Sequence, residues 1–594
     1  MIETLPDHDK AQSLKELLFG PLDLLTGSEK RISLVILASI FLNSIVDLLG
    51  LALVIPVIGI VIRPETIQDN EWVARAFETS QAMGIEDANG FVILLCILLI
   101  VMFISKAILN VLINLFQSRF SFKVGLRLCS MMWSYYFGSS LEELRRRETG
   151  LILTEVNAYP TQFSSTFLIG NVRLASDVIM MAIIISGLLI YDPVIVLSTG
   201  ALTILCSLGV RALTKKKLAI YSEMSRIRRP RSNSQINNAV KGFIEIFTFD
   251  AMDFVKQDYL ENNRMLYRIA ANTGVLNQAP SKVYEVVAAI SISGAIILSI
   301  VFGKTDEEFL NLLMVMTLAT YRIMPTISRV NGHVISLRNA WYVQMSLKFS
   351  RDGLVERDKA SKVQQQQQQQ HPKAARVTIE LVGLEFSYEP EHRVLDNVHH
   401  TFHPGQINAI IGPSGSGKST LMNAMLGLLK PDSGHINIAL DSSVYVLEEE
   451  LSHNSWLNQL SYLSQQPYFF SGTVKENLTF NDPTVTIEPK EFNELIKLVG
   501  LQDTLGESPL DFKLNEGASN LSGGQQQRLA FLRAIRRDQP VLILDEATSA
   551  LDEKNRDVVF DLLRGRARKG TNVLLITHDL DIAARCDSTL SLNG

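Results

Sequence analysis

Residues 412–419 read Gly412-Pro413-Ser414-Gly415-Ser416-Gly417-Lys418-Ser419, and this stretch fits the pattern G-x-x-x-x-G-K-[ST] at every fixed position. An apolar run, 407–411, precedes it, and the helix-favouring stretch 420–426, which begins with Thr420, follows it. Glycines let such a turn wrap with its N–H groups pointing inward, and these donors together with Lys418 suit the phosphates of a nucleotide. The alternative is a glycine-rich turn with a lysine placed by chance. Because both flanks fit, we interpret residues 412–419 as a phosphate loop in which Ser419 offers its hydroxyl to Mg²⁺.

The composition divides the chain into an apolar first half and an ordinary second half. Hydrophobic residues make up 47% of the 594 residues, and mean hydropathy is +0.16. The long apolar runs all precede about residue 330, which indicates a membrane region followed by a soluble one. The net charge of −5 does not indicate a nucleic-acid partner. The four cysteines match no metal-binding spacing, and no signal peptide is expected.

The first half predicts six membrane-spanning helices. Each has close to the roughly 20 apolar residues that a bilayer requires, at residues 33–62, 91–117, 167–190, 194–211, 283–302 and 309–330. A shorter apolar stripe, 13–26, predicts a helix lying in the membrane interface. Basic residues crowd 211–231, whereas acidic residues dominate 63–90. Since Lys and Arg are retained on the cytoplasmic side, we expect both termini and the long helix-forming segments 118–165 and 212–275 to be cytoplasmic.

Several ionisable residues fall inside these predicted spans. Such residues cost about 2.5–3.5 kcal/mol each at a helix centre on insertion scales, so they must face a partner, another subunit or water. They indicate either a polar cavity for a polar or charged substrate or pairing between helices, and the sequence leaves both open for Asp47, Lys106, Asp177, Glu285 and Arg322.

A run of glutamines, 364–370, separates the two halves. Such a tract has too little apolar surface to order itself by burial, so we expect residues 356–376 to act as a linker.

The second half carries further residues suited to nucleotide chemistry. An alternating strand pattern at 377–388 ends in Tyr388, whose ring could stack on adenine or be an ordinary strand tyrosine. The buried strand pattern at 541–544 leads into Asp545 and Glu546, at the end of a strand where an α/β sheet presents groups to its ligand. Asp545 suits Mg²⁺ binding through water, and Glu546 suits polarising the attacking water.

A second phosphate cradle is predicted where a serine and two glycines precede a helical run. The segment, here called the signature segment, comprises Leu521, Ser522, Gly523, Gly524 and Gln525.

This segment is identical to the signature sequence of ATP-binding cassette (ABC) proteins, and the whole of 377–594 resembles their nucleotide-binding domain. The resemblance implies that Tyr388 stacks on adenine and that Gln465 senses Mg²⁺ and the attacking water, although Gln466 stands beside it. His578 resembles the switch histidine that contacts the γ-phosphate, and 549–552, ending in Asp552, resembles the loop that crosses to the opposite subunit. ATP and Mg²⁺ are the implied ligands.

The family shares its catalytic sites between two cassettes, so the resemblance also implies a second copy of this chain as partner. Spans preceding a cassette on one chain resemble the exporter arrangement. Segments 46–56, 105–106 and 322–329 resemble bacterial lipid-linked oligosaccharide flippases and related glycan exporters. The implied location is the bacterial inner membrane, among lipids and an amphipathic substrate. Exporters of peptides, drugs or lipid A-like lipids are alternatives, and an ATP-gated regulator or channel is an alternative of another class.

The predicted fold is therefore multi-domain. An all-α six-helix transmembrane domain, residues 1–355, is followed by the linker 356–376 and by an α/β nucleotide-binding domain with a phosphate loop, residues 377–594.

Overall fold

The structure is a computed structural model. It describes residues 14–62, 71–82, 87–191, 193–301, 306–367, 372–389, 392–447, 449–482, 486–546 and 553–592. The chain divides into two compact units, residues 1–139 with 144–355 and residues 140–143 with 356–594.

The first unit is helical throughout its described residues. Two π-helical segments, Thr154–Ala158 and Ser164–Ile169, join α6, α7 and α8 into one rod. The helices are α1 Leu14–Phe19, α2 Gly27–Ile62, α3 Glu71–Gln81, α4 Ala88–Phe137, α5 Leu141–Arg146, α6 Thr149–Leu153, α7 Tyr159–Phe163, α8 Gly170–Tyr191, α9 Pro193–Lys241, α10 Phe243–Thr248, α11 Met252–Val301, α12 Asp306–Asn339 and α13 Trp341–Gln367.

The six predicted spans coincide with helical segments wherever the structure describes them, in α2, α4, α8, α9, α11 and α12. Three of these helices are far longer than a span: α4 and α11 have 50 residues each and α9 has 49. At 1.5 Å per residue each is about 75 Å long, more than twice the roughly 30 Å of a hydrocarbon core. Each therefore extends well beyond any bilayer that it crosses.

Within the described residues, two helical stretches are long and apolar enough to cross a membrane, Asn89–Phe137 and Thr149–Gly187. Along the first, apolar side chains point outward: Leu98, Ile104 and Leu112 are each more than half exposed. Outward apolar surface of this extent suits contact with lipid. The number six stays a prediction.

An aromatic core lies in the part of this unit that the sequence predicts to be cytoplasmic. Tyr136, Tyr159 and Phe163 are buried there together with Leu128 and Val343. The Tyr136 hydroxyl donates to the Glu155 carboxylate, and burial raises the pKa of Glu155. At the neighbouring end of α2, the guanidinium of Arg127 donates to both carboxylate oxygens of Glu29, at 2.8 and 2.9 Å.

The intramembrane charges whose side chains are described have partners within the unit. Asp177 accepts from the guanidinium of Arg329 at 2.7 Å, and Glu285 accepts from Lys282 at 2.8 Å. The ammonium of Lys106 lies 5.1 Å from the ring centre of Phe103. The side chains of Asp47 and Arg322 lie outside the described set.

The glutamine tract departs from expectation, because α13 continues to Gln367. Glutamine has a helix propensity close to those of leucine and lysine, so the tract can extend an existing helix without burying apolar surface. The first part of the predicted linker is therefore helical, residues 368–371 lie outside the described residues, and the linker role stays a prediction.

The second unit is a layered α/β structure. Its helices are α14 Lys418–Met425, α15 His453–Leu457, α16 Val474–Thr479, α17 Pro489–Leu498, α18 Gln502–Leu505, α19 Gly523–Arg536, α20 Glu553–Arg568 and α21 Leu580–Ala584. Its strands are β1 Val377–Glu389, β2 His392–Phe402, β3 Ile407–Ile411, β4 Ser433–Leu440, β5 Ser443–Val446, β6 Leu460–Leu463, β7 Gly472–Thr473, β8 Lys513–Leu514, β9 Val541–Asp545, β10 Asn572–Ile576 and β11 Ser588–Ser591.

A parallel sheet with the order β11-β3-β10-β9-β6 forms the centre of this unit. Every residue of β9 and β10 is buried, because alternate side chains enter separate apolar cores on the two faces. An antiparallel sheet, β2-β1-β4-β5, contributes to one of these cores, and β7 and β8 form a two-stranded ribbon.

A fully buried asparagine, Asn572, connects the two larger sheets. The Asn572 amide donates to the carbonyl oxygens of Val377 and Phe402 at 3.1 and 2.9 Å, and its oxygen accepts from Asn408 at 2.9 Å. All three bonds lie in the dry interior, where an unpaired polar group is costly.

Replacing Asn572 by alanine leaves the carbonyls of Val377 and Phe402 and the Asn408 amide without this partner. We expect Asn572→Ala to destabilise the second unit by about 2–4 kcal/mol. Hydrogen exchange of peptides covering β3 and β10 measures this loss. Asn437→Ala, which removes an exposed hydrogen bond to Glu380, is the matched control, and equal exchange in the two variants would contradict the expectation.

Candidate nucleotide-phosphate site

The candidate site lies along the carboxyl edge of the parallel sheet. The phosphate loop follows β3, His578 follows β10, Asp545 ends β9, and Gln465 follows β6. These four strands are neighbours in the order β3-β10-β9-β6 and run parallel. Their carboxyl ends therefore meet at one edge, where α/β sheets bind ligands.

The phosphate loop turns sharply out of β3 into α14. Gly417 caps α14 in the left-handed region, at φ 89°, and a Cβ atom there would lie 2.8 Å from the carbonyl oxygen of Val394. Only glycine fits both constraints. Pro413, Ser414, Gly415 and Ser419 are exposed on the loop, and the Lys418 ammonium donates to the carbonyls of Gly412 and Pro413 at 2.8 Å.

One hydroxyl in the loop is buried without a partner. The Ser416 side chain is 4% exposed, and its oxygen makes no hydrogen bond within the described part of the chain. The loop thus combines a restrained cation, exposed backbone and an unused polar atom, a donor set that suits phosphate oxygens.

Tyr388 lies beside the helix that follows the loop. Its hydroxyl is 3.4 Å from the Thr420 hydroxyl, and its ring meets that of Phe386 edge-on at 4.9 Å. The ring remains 43% exposed. An exposed aromatic face next to the phosphate loop fits the predicted adenine contact, which stays a prediction.

Glu546 lies between two of the predicted site residues. Its carboxylate accepts from the Gln465 amide at 2.7 Å, and the Nδ1 atom of His578 lies 3.5 Å from its other oxygen. This contact favours Gln465 over Gln466 for the predicted role. The carboxylate is therefore oriented by groups from two other strand ends.

Ionisation of the Asp545 carboxyl is energetically unfavourable in this position. The residue is 8% exposed. Burial raises the pKa of its carboxyl to about 6, the negative charge of Glu546 adds to the rise, and Lys418 opposes it. Sequence reasoning missed Tyr462 on β6, whose pKa is raised by burial and then by the charge of Asp545. No sequence pattern marks Tyr462, because its closeness to Asp545 depends on the pairing of β6 with β9.

The signature segment forms the start of α19. Ser522 caps this 14-residue helix, with its side chain accepting from the Gln525 backbone and the Gln525 side chain accepting in return. Leu521 is buried, whereas Ser522 and Gly523 are exposed and Gly524 is half-buried. The Gln525 side chain bonds to Thr504, and no described hydrogen bond joins the segment to the phosphate loop. Asp552 lies outside the described residues.

The donor set fits a magnesium ion completed by a nucleotide. Mg²⁺ binds one or two carboxylates, keeps several waters and takes substrate phosphate oxygens. Among the described residues, no group of three or more His, Cys, Asp and Glu could hold a metal alone. Ser419, Gln465 and Asp545 are oxygen donors around the loop and leave the remaining positions to phosphates and water.

Comparison with known proteins identifies the domain around this site. Residues 395–549 match the family model described as ABC transporter. The chain is 26% identical over 426 residues, 70% of this chain and 69% of the relative, to the uncharacterized ABC transporter ATP-binding protein y4gM of Sinorhizobium fredii. It is 36% identical over 221 residues to the ATP-dependent lipid A-core flippase of Burkholderia thailandensis, 36% of each chain.

The fold has a solved counterpart along nearly its whole length. A bacterial Atm1-family ABC exporter with ATP bound aligns with a TM-score of 0.69 and 18% identity, covering 91% of this chain and 93% of that one. The predicted fold class is confirmed as an exporter-type helical region followed by an α/β nucleotide-binding domain. The predicted resemblance to ABC exporter half-transporters is also confirmed.

The raised pKa of Asp545 gives a test by stability. Without nucleotide, the folded protein holds this proton up to about pH 6, whereas an unfolded aspartate loses it near its ordinary value of 3.8. The charged form therefore destabilises the fold above pH 6. We expect Asp545→Asn to raise the unfolding temperature by at least about 2 °C at pH 8.

This gain should shrink as the pH falls from 6 towards 4, because the unfolded aspartate is then progressively protonated and its ionisation favours unfolding less. Thermal unfolding followed by circular dichroism across this range measures it. Asp561→Asn, at an exposed position on α20, should show no such pH-dependent gain. A gain independent of pH would contradict the interpretation.

Proposed function

We propose that this chain is an ABC transporter, one half of an exporter that couples ATP hydrolysis to movement of an amphipathic substrate across a membrane. The observation that carries the proposal is the convergence of Gln465, Glu546 and His578 beside the phosphate loop. Binding of a nucleotide needs the loop alone. A carboxylate oriented by an amide and an imidazole is a feature of hydrolysis.

Glu546 is the proposed general base. In this role it accepts a proton from water as the water oxygen bonds to the γ-phosphorus and the bond to the ADP oxygen breaks. The Gln465 amide, 2.7 Å away, fixes the carboxylate, and His578, with its side chain 65% exposed, is free to turn towards the γ-phosphate. Lys418 exchanges its two carbonyl partners for phosphate oxygens. Ser419, Gln465 and Asp545 would hold Mg²⁺, which would supply positive charge to offset the charge that develops on the phosphate oxygens.

A second copy of this chain completes each site in our proposal. One chain has one phosphate loop and one signature segment, and the exposed start of α19 offers Ser522 and backbone N–H groups at the positive end of a helix dipole. Two copies facing each other give two equivalent sites with ATP between them. Closure on ATP and opening after hydrolysis then drive the helical regions.

The proposed cargo is a lipid-linked oligosaccharide or a related glycolipid, moved across a bacterial inner membrane with the nucleotide-binding domain on the cytoplasmic side. Support comes from Arg329, which is oriented by Asp177 and Thr326. Its side chain is 51% exposed, and its Nη1 atom has no hydrogen-bond partner in the described part of the chain. Burial lowers the pKa of His333, Asp177 opposes this fall, and Arg173 and Arg329 add to it. This basic surface suits the pyrophosphate of a lipid carrier.

The competing proposal for the cargo is a peptide, a drug or a lipid A-like lipid, and one relative is named a lipid A-core flippase. An ATP-gated regulator or channel is the alternative of another class. The complete set of Glu546, His578 and Ser522 argues against it, because a gate needs no efficient hydrolysis.

Glu546→Gln keeps the size of the side chain and removes its basicity. We expect the variant to bind ATP, to lose turnover by roughly 100-fold or more, and to accumulate as an ATP-bound closed dimer. Phosphate release in proteoliposomes and size-exclusion chromatography measure the two effects. Glu494→Gln, at an exposed position on α17, is the control, and wild-type turnover in Glu546→Gln would remove the residue from this role.

The cargo is tested by flipping of a fluorescent polyprenyl-pyrophosphate glycan in proteoliposomes, compared with a cationic drug dye. Arg329→Gln should reduce glycan flipping about tenfold or more, since it loses a charge-assisted bond to phosphate, while basal ATP turnover persists. Lys282→Gln removes an equal charge from the exposed pair on α11 and should flip normally. Dye transport without glycan transport would overturn the glycan assignment.

A further inference from the structure

A cavity of about 80 Å³ lies beneath the first helices of the helical unit. Its walls come from α1 and the turn after it, the start of α2, the middle of α4, and the junction of the second π-helical segment with α8. Apolar side chains cover most of the wall, among them Leu18, Ile36 and Phe167. The volume is well below the roughly 300–1,000 Å³ of pockets that enclose whole small molecules. It therefore suits part of a larger molecule.

Two amide side chains line this cavity. Gln117 is 7% exposed, lines the cavity, and makes no hydrogen bond with any residue that the structure describes. The Asn171 amide nitrogen donates to the Leu18 carbonyl at 3.1 Å, but its buried oxygen has no donor among the described residues. The Gln117 side chain lines the cavity without a described partner, so it indicates a ligand with a hydrogen-bonding group next to an apolar part.

The cavity lies where three predicted spans reach the same membrane surface. Ser33 stands at the start of the first span, Gln117 at the end of the second, and Phe167 at the start of the third. Apolar side chains on the neighbouring turns face outward, with Leu34 65% and Leu115 50% exposed. This is the level at which acyl chains of a bilayer meet their headgroups.

Four exposed cations lie within two helical turns of the cavity wall. They are Lys30, Arg31, Arg119 and Lys123. None of them has an ion-pair partner within the described residues. The nearest acid on α2, Glu29, is already engaged by Arg127. The opening is thus electropositive and complements the phosphate of an anionic lipid.

We propose that this cavity holds the ester end of one acyl chain of an anionic phospholipid from the cytoplasmic leaflet. The chain packs against the apolar wall, and the Gln117 amide donates to an ester carbonyl. Phosphatidylglycerol has all of these groups. Because α1, α2, α4 and α8 all contribute walls, the lipid fastens the first helix to the bundle. This site requires only a surrounding bilayer and is independent of the transported substrate.

Photolabelling of the full chain tests the proposal. The protein is placed in nanodiscs of phosphatidylethanolamine and phosphatidylglycerol with a trace of phosphatidylglycerol carrying a diazirine in one acyl chain. After illumination, we expect peptides covering 117–121 and 167–172 to be labelled about tenfold more than the outward-facing stretch 97–104, as for a site favoured by about 1.4 kcal/mol. Unlabelled phosphatidylglycerol should compete, and phosphatidylcholine should not.

Three variants make the test decisive. Val172→Phe fills the cavity and should abolish the preference, whereas Val111→Phe makes the same change at an outward position that is 58% exposed and should retain it. Gln117→Leu preserves volume and should remove the preference for phosphatidylglycerol even if Val172→Phe fails to fold. Uniform labelling of all outward surfaces, or competition by a polyprenyl-pyrophosphate glycan alone, would overturn the proposal.

Discussion

The parallel alignment of β3, β10, β9 and β6 is the constraint on which the candidate site depends. Both faces of this sheet are buried in apolar cores, so the chain can change direction only beyond the strand ends, and polar residues collect there. Gly412, Gln465, Glu546 and His578 are far apart in sequence, yet they follow adjacent strands. Their proximity is a consequence of strand order, and the hydrogen bond from Gln465 to Glu546 is its most direct expression.

The carboxyl edge of the parallel sheet also carries negative charges whose burial is energetically unfavourable. Asp545 and Glu546 are successive carboxylates, and the first is buried enough for its pKa to rise to about 6. Lys418 opposes the rise but is bonded to the carbonyls of its own loop. A phosphate would draw Lys418 away from its loop carbonyls, and a cation would bind the Asp545 carboxylate. Together they would remove the cost of charging Asp545. The site is thus poised for a metal-bound nucleotide by electrostatics that its apolar surroundings make strong.

Much of this arrangement could be predicted from sequence, because the phosphate loop and the signature segment are contiguous patterns whose chemistry is local. The glycine at 417 and the serine at 522 act through the backbone of their own turn or helix. The intramembrane charges could not be assigned in this way. For Asp177 the sequence allows either a place in a polar cavity or a pair with another helix. Its ion pair with Arg329 forms only because α8 packs on α12. The composition of the glutamine tract predicts an unordered linker, but the helix propensity of glutamine lets α13 continue to Gln367.

By itself, the sequence determined the two-part organisation, the strand-loop-helix turn at 412–419, and which residues have the chemistry for ATP. These follow from composition, periodicity and short-range spacing, which folding does not alter. The tertiary structure decided which side chains meet: Gln465 rather than Gln466 at Glu546, Tyr388 beside Thr420, and Gln117 with Asn171 at one cavity. Such contacts join segments that are distant in the chain. Their geometry is set by strand order and helix packing, which cannot be deduced from any single stretch of sequence.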